Sequence, residues 1–574
     1  MDLMTKKFYS LLTGGIISSI VTAFVLVSDV VVAGILLGDD AVAGMNLVTP
    51  AYSFAASLAA LLSIGTPILY SKALGNFEGE KATRLFRTGL TAAVGCGMIL
   101  FLVFLILGDD YISSFQAAPI ILESAGIYLF WIRIVIFFLP FSIFLSGMVM
   151  ADGDETLSLI ADIASSGVNI LLSVILGRIM GVTGIGVSSL IGTLLGVIIC
   201  LFHFAKKRNS LSPGFYFSGR MILSISHYGI VDAASYLFLS AFSALITLYI
   251  SFYFGSELLI LSSVFTLVIE MQFLLDGIGE ALPPTMSIYL ATGSFEGVMK
   301  IWKEAKKMAI ILGLIFALIL AVFAPFIPEL LGISNQNIAD MAIVGVRILS
   351  VSMPFISLLY LITSYTILIK RITFGVMTTA LYKFILAITF AVILGFTFGI
   401  YGVFAGVTIA PVVTWFAIKY YVKWKEGKES WPLRLHDVIN TKTYLFDFVI
   451  EPGSIIDTQA KIEKTLSSNN IPKSALSRCS FLFEELYMEI YDKNGKKAVN
   501  GECILSLTDD LLQLIDIDDG IIFNMDEEVE ELSSFREYVL SRGFVDWTGS
   551  LEYLKAISFN RNRIEISLKN EDEQ

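Results

Sequence analysis

The chain has 574 residues, 56% of them hydrophobic and only 16% charged, with a mean hydropathy of +0.77. Soluble domains run at roughly 45–50% apolar and about 25% charged, so most of this chain is built for lipid rather than water. The net charge of -12 falls on residues 430–574, which hold 27 acidic and 15 basic side chains, and an acidic tail excludes nucleic acid as a partner because phosphate binding needs a basic surface.

Lys6 and Lys7 precede an apolar run that continues to Leu37, too long for a signal peptide and suited to a first spanning helix. A bilayer core of about 30 Å takes roughly 20 apolar residues per helix. Twelve spans are predicted, over 8–37, 41–70, 88–108, 122–150, 156–179, 182–205, 226–254, 257–290, 308–327, 338–369, 374–397 and 401–422. Pro50, Pro67, Pro140, Pro283, Pro284 and Pro354 are places for them to bend. Lys and Arg collect in alternate turns, from Lys6 and Lys7 through Lys81, Arg84, Lys206 and Lys300 to Lys419 and Lys423, which puts both termini in the cytoplasm. The turn Asp152-Gly153-Asp154-Glu155 is acidic on that same side, and acids weigh little in the rule. Cys96, Cys200, Cys479 and Cys503 read as reduced thiols, and His203, His227 and His436 lack the spacing of a metal site.

The spans repeat. Gly75-Asn76-Phe77-Glu78-Gly79 recurs 218 positions later as Gly293-Ser294-Phe295-Glu296-Gly297, and Val174-Ile175-Leu176-Gly177 recurs at the same offset as Val392-Ile393-Leu394-Gly395. Duplicated helical bundles are a common transporter plan, with the substrate site between the repeats. The expected domains are a first six-helix lobe over 1–212, a second over 213–429 and a soluble tail over 430–574.

Five stretches carry a family resemblance: Ser28-Asp29-Val30-Val31-Val32-Ala33-Gly34, Leu37-Gly38-Asp39-Asp40-Ala41-Val42-Ala43-Gly44, the loop Ala73-Leu74-Gly75-Asn76-Phe77-Glu78-Gly79-Glu80-Lys81-Ala82, the turn Ala151-Asp152-Gly153-Asp154, and Gly181-Val182-Thr183-Gly184-Ile185-Gly186. With the order of the helices, residues 1 to about 425 resemble the multidrug and toxic compound extrusion (MATE) family of secondary transporters. The resemblance implies two facing lobes, alternating access driven by protons or sodium ions, and export of amphipathic, often cationic, small molecules. It also implies a prokaryotic cell membrane.

Asp29 is an acid inside an apolar run, where a carboxylate costs about 2.5–3.5 kcal/mol to insert. It reads either as an interfacial acid reaching headgroups or a neighbouring helix, or as a titratable group in a wet cavity. The resemblance implies the second, since the matching aspartate of the family couples the ion. On the fifth helix Asn169 and Ser173, spaced i, i+4, share a face, and Thr22 is grouped with them as a cavity residue. Family members often carry Asp where this chain has Ser173, so one carboxylate remains of a pair, and Leu239 stands where some relatives have Glu. Glu270, Asp276 and Glu280 on the eighth helix are further cavity candidates; the alternative is pairing with Lys383.

From about Arg434 the pattern becomes that of a soluble α+β domain, with strands at 444–449, 502–507 and 511–517, helices at 455–466 and 476–491, and a hairpin over 556–567 turning at Asn560-Arg561-Asn562. Glu484-Glu485-Leu486-Tyr487-Met488-Glu489 and Asp518-Asp519-Gly520 are similar to motifs of the histidine-kinase-like ATPases of anti-sigma-factor kinases. The resemblance implies a nucleotide site at Glu485, Glu489, Asp518 and Gly520, with ATP and Mg as ligands. Glu489 stands in place of the family's metal-binding Asn, and no glycine-rich lid is found over 527–549, so a degenerate domain that regulates or binds a cytoplasmic protein is the leading expectation, and no enzyme activity. For the whole chain the expectation is a proton- or sodium-coupled exporter that needs no cofactor. A flippase for a lipid-linked sugar and a membrane-tethered ATP-binding signalling protein are the alternatives.

Overall fold

The computed structural model describes residues 3–75, 79–152, 154–206, 209, 211–291, 294–427, 442–469, 471–508, 511–521, 551–553 and 560–568. In lipid a backbone has no hydrogen-bond partner except itself, so the long apolar runs fold as helices. The first half supplies α1 (Leu3–Leu37), α2 (Asp39–Gly75), α3 (Gly79–Ser113), α4 (Pro119–Ala151), α5 (Glu155–Met180) and α6 (Val182–Leu201). The second half opens with α7 (Gly219–Phe254), then α8 (Ile260–Met271) and α9 (Gly277–Ala291), which a short tighter turn at Gln272–Leu275 separates within one predicted span. It continues as α10 (Phe295–Phe323), α11 (Ile327–Leu330), α12 (Gln336–Ser350), α13 (Met353–Leu368), α14 (Ile372–Ala380), a π-helical turn at Leu381–Ile385, and α15 (Leu386–Glu426).

Among the described residues nine helices are long and apolar enough to cross a bilayer, and the bent pair α12 and α13, at 47°, makes a tenth. The breaks have local causes. Gly399 takes φ 64 and ψ -150 inside α15, a backbone region open to glycine, and Pro354 opens α13 at a position where its missing N–H costs nothing.

Contacts divide the chain into two compact units that cut across the sequence repeat. The larger comprises Ile16–Gly279 and Ala309–Tyr421. Its core mixes both halves of the chain: Val32, Val48, Ile136, Phe265, Val346 and Phe404 belong to one buried cluster, with the Phe265 and Phe404 rings stacked at 4.3 Å. α2 and α7 cross at two glycines. A Cβ on Gly65 would lie 2.0 Å from the Ile225 carbonyl oxygen, and one on Gly229 would lie 2.1 Å from that of Leu61. Small residues let helix backbones touch where the solvent gives no hydrophobic drive. Asn46 on α2 donates to Ser262 on α8 at 2.8 Å.

The second unit comprises Met1–Gly15, Glu280–Met308 and Val422–Gln574. Its sheet has five strands in the order β1-β2-β3-β5-β4, antiparallel throughout: β1 (Lys442–Ile450), β2 (Val499–Leu507), β3 (Leu511–Asp518), β4 (Leu551–Tyr553) and β5 (Asn560–Ser567). Helices α16 (Pro452–Ser467) and α17 (Lys473–Lys493) share a core with it, built from Ile462, Phe483, Tyr487, Leu505, Leu514 and Ile564. The hairpin predicted to turn at Asn560-Arg561-Asn562 is instead one strand, in which those residues pair with Asp516–Asp518 of β3. Their polar composition looked like a turn, and sheet pairing overrode it. The lid region 527–549 lies outside the described residues.

In β2, Glu502 is fully buried and ties the unit together. One carboxylate oxygen accepts the backbone N–H of Met4 at 3.0 Å and the other the Tyr289 hydroxyl at 2.6 Å. Lys300 pairs with Asp447, which lies opposite Glu502 in the β1–β2 register, and Tyr9 donates to Glu304 at 2.7 Å. Burial, with Asp447 adding, pushes the Glu502 carboxyl up to about 8.

Candidate functional site

Asp29 sits in α1 at the wall of a cavity of about 520 Å³ enclosed by helices of the larger unit. Ser173 of α5 donates to one carboxylate oxygen at 3.1 Å and Ser189 of α6 to the other at 2.6 Å. Asn169 and Tyr128 bring further hydrogen-bonding side chains to the same acid. The i, i+4 spacing of Asn169 and Ser173 on one helix face is realised, with the two side-chain oxygens 3.1 Å apart. One Ser173 proton serves two acceptors, so Asp29 and Asn169 share it.

The cavity has two kinds of wall. Met45, Val48, Ile132, Val135, Leu139 and Ile143 are apolar; Tyr52, Tyr128, Ser146, Asp162, Asn169 and Glu270 are polar. Among the described lining residues are three carboxylates, Asp29, Asp162 and Glu270, and no Lys, Arg or His. Such a wall favours a positive charge and suits an amphipathic molecule.

The other predicted residues separate. Glu270 lines the cavity with Asp29. Asp276 does not line it; with Asp232 it lies within electrostatic reach of Lys383, the pairing that was the alternative reading. Lys383 sits in the π-helical turn, donates to the Tyr360 hydroxyl at 3.3 Å, and stands 5.0, 5.4 and 5.8 Å from the ring centres of Tyr360, Phe273 and Tyr382. The Thr22 and Glu280 side chains lie outside the described residues.

Ser189, Tyr128 and Asp162 were not singled out by sequence. Serine on an apolar helix commonly bonds its own backbone, as Ser189 also does to the Ile185 carbonyl at 3.1 Å, so nothing marks it as a ligand. Asp162 could have been found from its place seven residues before Asn169, on the same helix face.

The acidic turn that ran against the charge rule is neutralised locally. His203 bridges Asp152 at 2.8 Å and Asp154 at 2.9 Å, Lys206 donates to Asp154 at 2.6 Å, and Tyr70 donates to Asp152 at 2.7 Å. The Lys206 bond, and then His203, hold the Asp154 carboxyl below the usual range.

In the tail, Asp518 accepts the Gly520 N–H at 2.7 Å and Asn494 accepts that of Ile521 at 2.8 Å, which closes a tight turn. Glu489 is buried on α17 with Lys493 4.0 Å away, and Glu485 is half-buried on the same helix.

The MatE family model matches residues 15–175. Among solved structures, the chain is similar to a multidrug resistance MATE transporter of the MOP superfamily in its inward-facing conformation, at 20% identity and a TM-score of 0.62, over 73% of this chain and 93% of that one. The outward-facing conformation of such a transporter matches at 21% identity and 0.59, over 73% and 94%. A MOP superfamily transporter from Pyrococcus furiosus, described as having a binding pocket of reversed polarity, matches at 19% and 0.57, over 73% and 94%. No curated protein matches the chain. The helical region therefore has the fold of MATE transporters, and its long apolar helices make the chain an integral membrane protein.

Proposed function

We propose that the chain is a secondary active exporter of amphipathic, cationic small molecules, working by alternating access and coupled at Asp29 to a proton or sodium gradient. The observation that carries this reading is the Asp29 carboxylate, held by Ser173 and Ser189 at the wall of a cavity whose described lining includes acids and no base. A carboxylate with only neutral partners can take up a proton, a metal ion or a cationic ligand, and competition among these is what couples an ion to a substrate. That similar folds occur facing inward and outward supports the alternating step. A flippase for an anionic lipid-linked sugar would call for a basic cavity, which this lining does not favour.

In this reading the lobes are residues 1–212 and 213–429, each of six helices. The 55-residue stretch Ile372–Glu426 would extend roughly 80 Å if straight, against a bilayer core of about 30 Å. Divided at Gly399, and counted with α1 and the bent pair, it makes the total twelve. Both termini are cytoplasmic, and the tail, 430–574, acts as a regulatory domain without a nucleotide requirement. Inverted vesicles loaded under an imposed pH or sodium gradient test the proposal: the parent should accumulate a cationic dye and Asp29→Asn should not. Equal gradient-driven uptake by both would remove Asp29 from the mechanism.

A further inference from the structure

One face of α5 carries more polar groups than the Asp29 site uses. Asp162, Ser165, Ser166 and Asn169 line the same cavity, and Ser173 ends the row at Asp29. Positions 162, 166, 169 and 173 fall on one side of a helix with 3.6 residues per turn, and at 1.5 Å per residue the row runs about 16 Å. At its far end the Asp162 side chain is exposed to the cavity, and its carboxylate accepts from the neutral Ser146 hydroxyl, 3.1 and 3.3 Å from its two oxygens. Ser158, 2.8 Å from Ser146 and bonded to its carbonyl at 3.1 Å, holds that hydroxyl in place.

A second observation points to a cationic occupant. Glu270 reaches the same cavity from α8, is only 8% exposed, and has no hydrogen-bond or ion-pair partner among the described residues. A buried carboxyl left without a partner keeps its proton until a cation enters the cavity, and can then ionise to bind it.

We propose that Asp162 is the residue that selects a positively charged organic ligand, giving its cationic group a first contact about one cavity length from Asp29, the carboxylate at which ligand and coupling ion compete. The inference rests on the transporter reading and names a residue that reading does not use. Asp162 lies two turns into α5 from its cytoplasmic end, where a ligand arriving from the cytoplasm meets it before Asp29. Ile132, Val135, Leu139 and Ile143 supply the apolar wall for the rest of the molecule.

Equilibrium binding of tetraphenylphosphonium to the purified full-length chain in detergent tests this. Asp162→Asn should weaken binding about tenfold, the scale of one screened charge pair, and Asp162→Glu should restore most of it. Equal affinity in the parent and Asp162→Asn, equal loss in the Asn and Glu variants, or no binding by the parent would each overturn the inference. Flux in vesicles separates it from the reading on which it rests. Asp162-dependent binding by a chain that drives no dye transport removes the transporter reading and leaves the ligand site standing. Gradient-driven transport with a half-saturation blind to Asp162→Asn does the reverse.

Discussion

The two halves of the repeat hold a charged side chain inside the membrane in opposite ways. In the first half Asp29 faces a cavity of about 520 Å³ through serine hydroxyls; in the second, Lys383 is packed against three aromatic rings beside a space of about 30 Å³. A carboxylate bonded to hydroxyls at a roomy wall can exchange partners. An ammonium ion held over ring faces, with Asp232 and Asp276 in electrostatic reach, already has its countercharges. The duplication kept the helical scaffold and set Asp29 among hydroxyls but Lys383 among rings and acids.

The largest expected effect breaks or keeps that contrast outright: Asp29→Asn should cut gradient-driven dye flux in vesicles by about 100-fold, an energy of two factors of ten at 1.4 kcal/mol each. Lys383→Met should stay within about threefold of the parent in the same assay, since its charge is satisfied internally. If Lys383→Met matched the Asp29 loss, both halves would carry the coupling. Next in size, Ser189→Ala should reduce the flux by about tenfold, the lower end of the worth of a hydrogen bond to a charged group, and Ser173→Ala by less because Ser173 shares its proton with Asn169. Thermal unfolding sharpens the other side, where Lys383→Met should cost about 3 kcal/mol, because Asp232 and Asp276 lose a countercharge along with the ring contacts.

A separate effect lies outside the membrane helices. With its carboxyl raised to about 8, Glu502 holds a proton in the folded unit that the unfolded chain, near its ordinary value of 4.5, gives up first. Folded-state stability of this unit should therefore fall as pH rises from about 4.5 to about 8 and level off above, with Asp447 and its partner Lys300 the charges that face the group. Hydrogen exchange at β2 reads the change, and Glu502→Gln should flatten the slope.

Much of the helical scaffold was legible because lipid imposes one solution on an apolar run, and an acid within such a run announces itself. That is why Asp29 and Glu270 were found, while Asn169 came from the family resemblance, and the three meet at one cavity. Ser189 was not legible, because its role depends on α6 approaching α1, and a serine in a helix looks alike whether it serves its own backbone or a neighbour. Asp276 shows the converse: an acid conspicuous in sequence lies in reach of Lys383, more than a hundred residues away, rather than at the cavity. In the tail, the polar Asn560-Arg561-Asn562 misread as a turn because β3 supplies partners that local composition does not reveal.

Met4 and Glu502 are 498 residues apart, and their hydrogen bond sets a clock for biosynthesis. Chains emerge N-terminus first at about 5–20 residues per second, so the start of α1 waits roughly 25–100 s for its partner in β2 to be made. Tyr289, the other donor to that carboxylate, waits less than half as long. The oldest part of the molecule is thus fastened by one of the last to be translated, and a ribosome that stops before residue 502 releases a chain whose first turn has not yet been tied down.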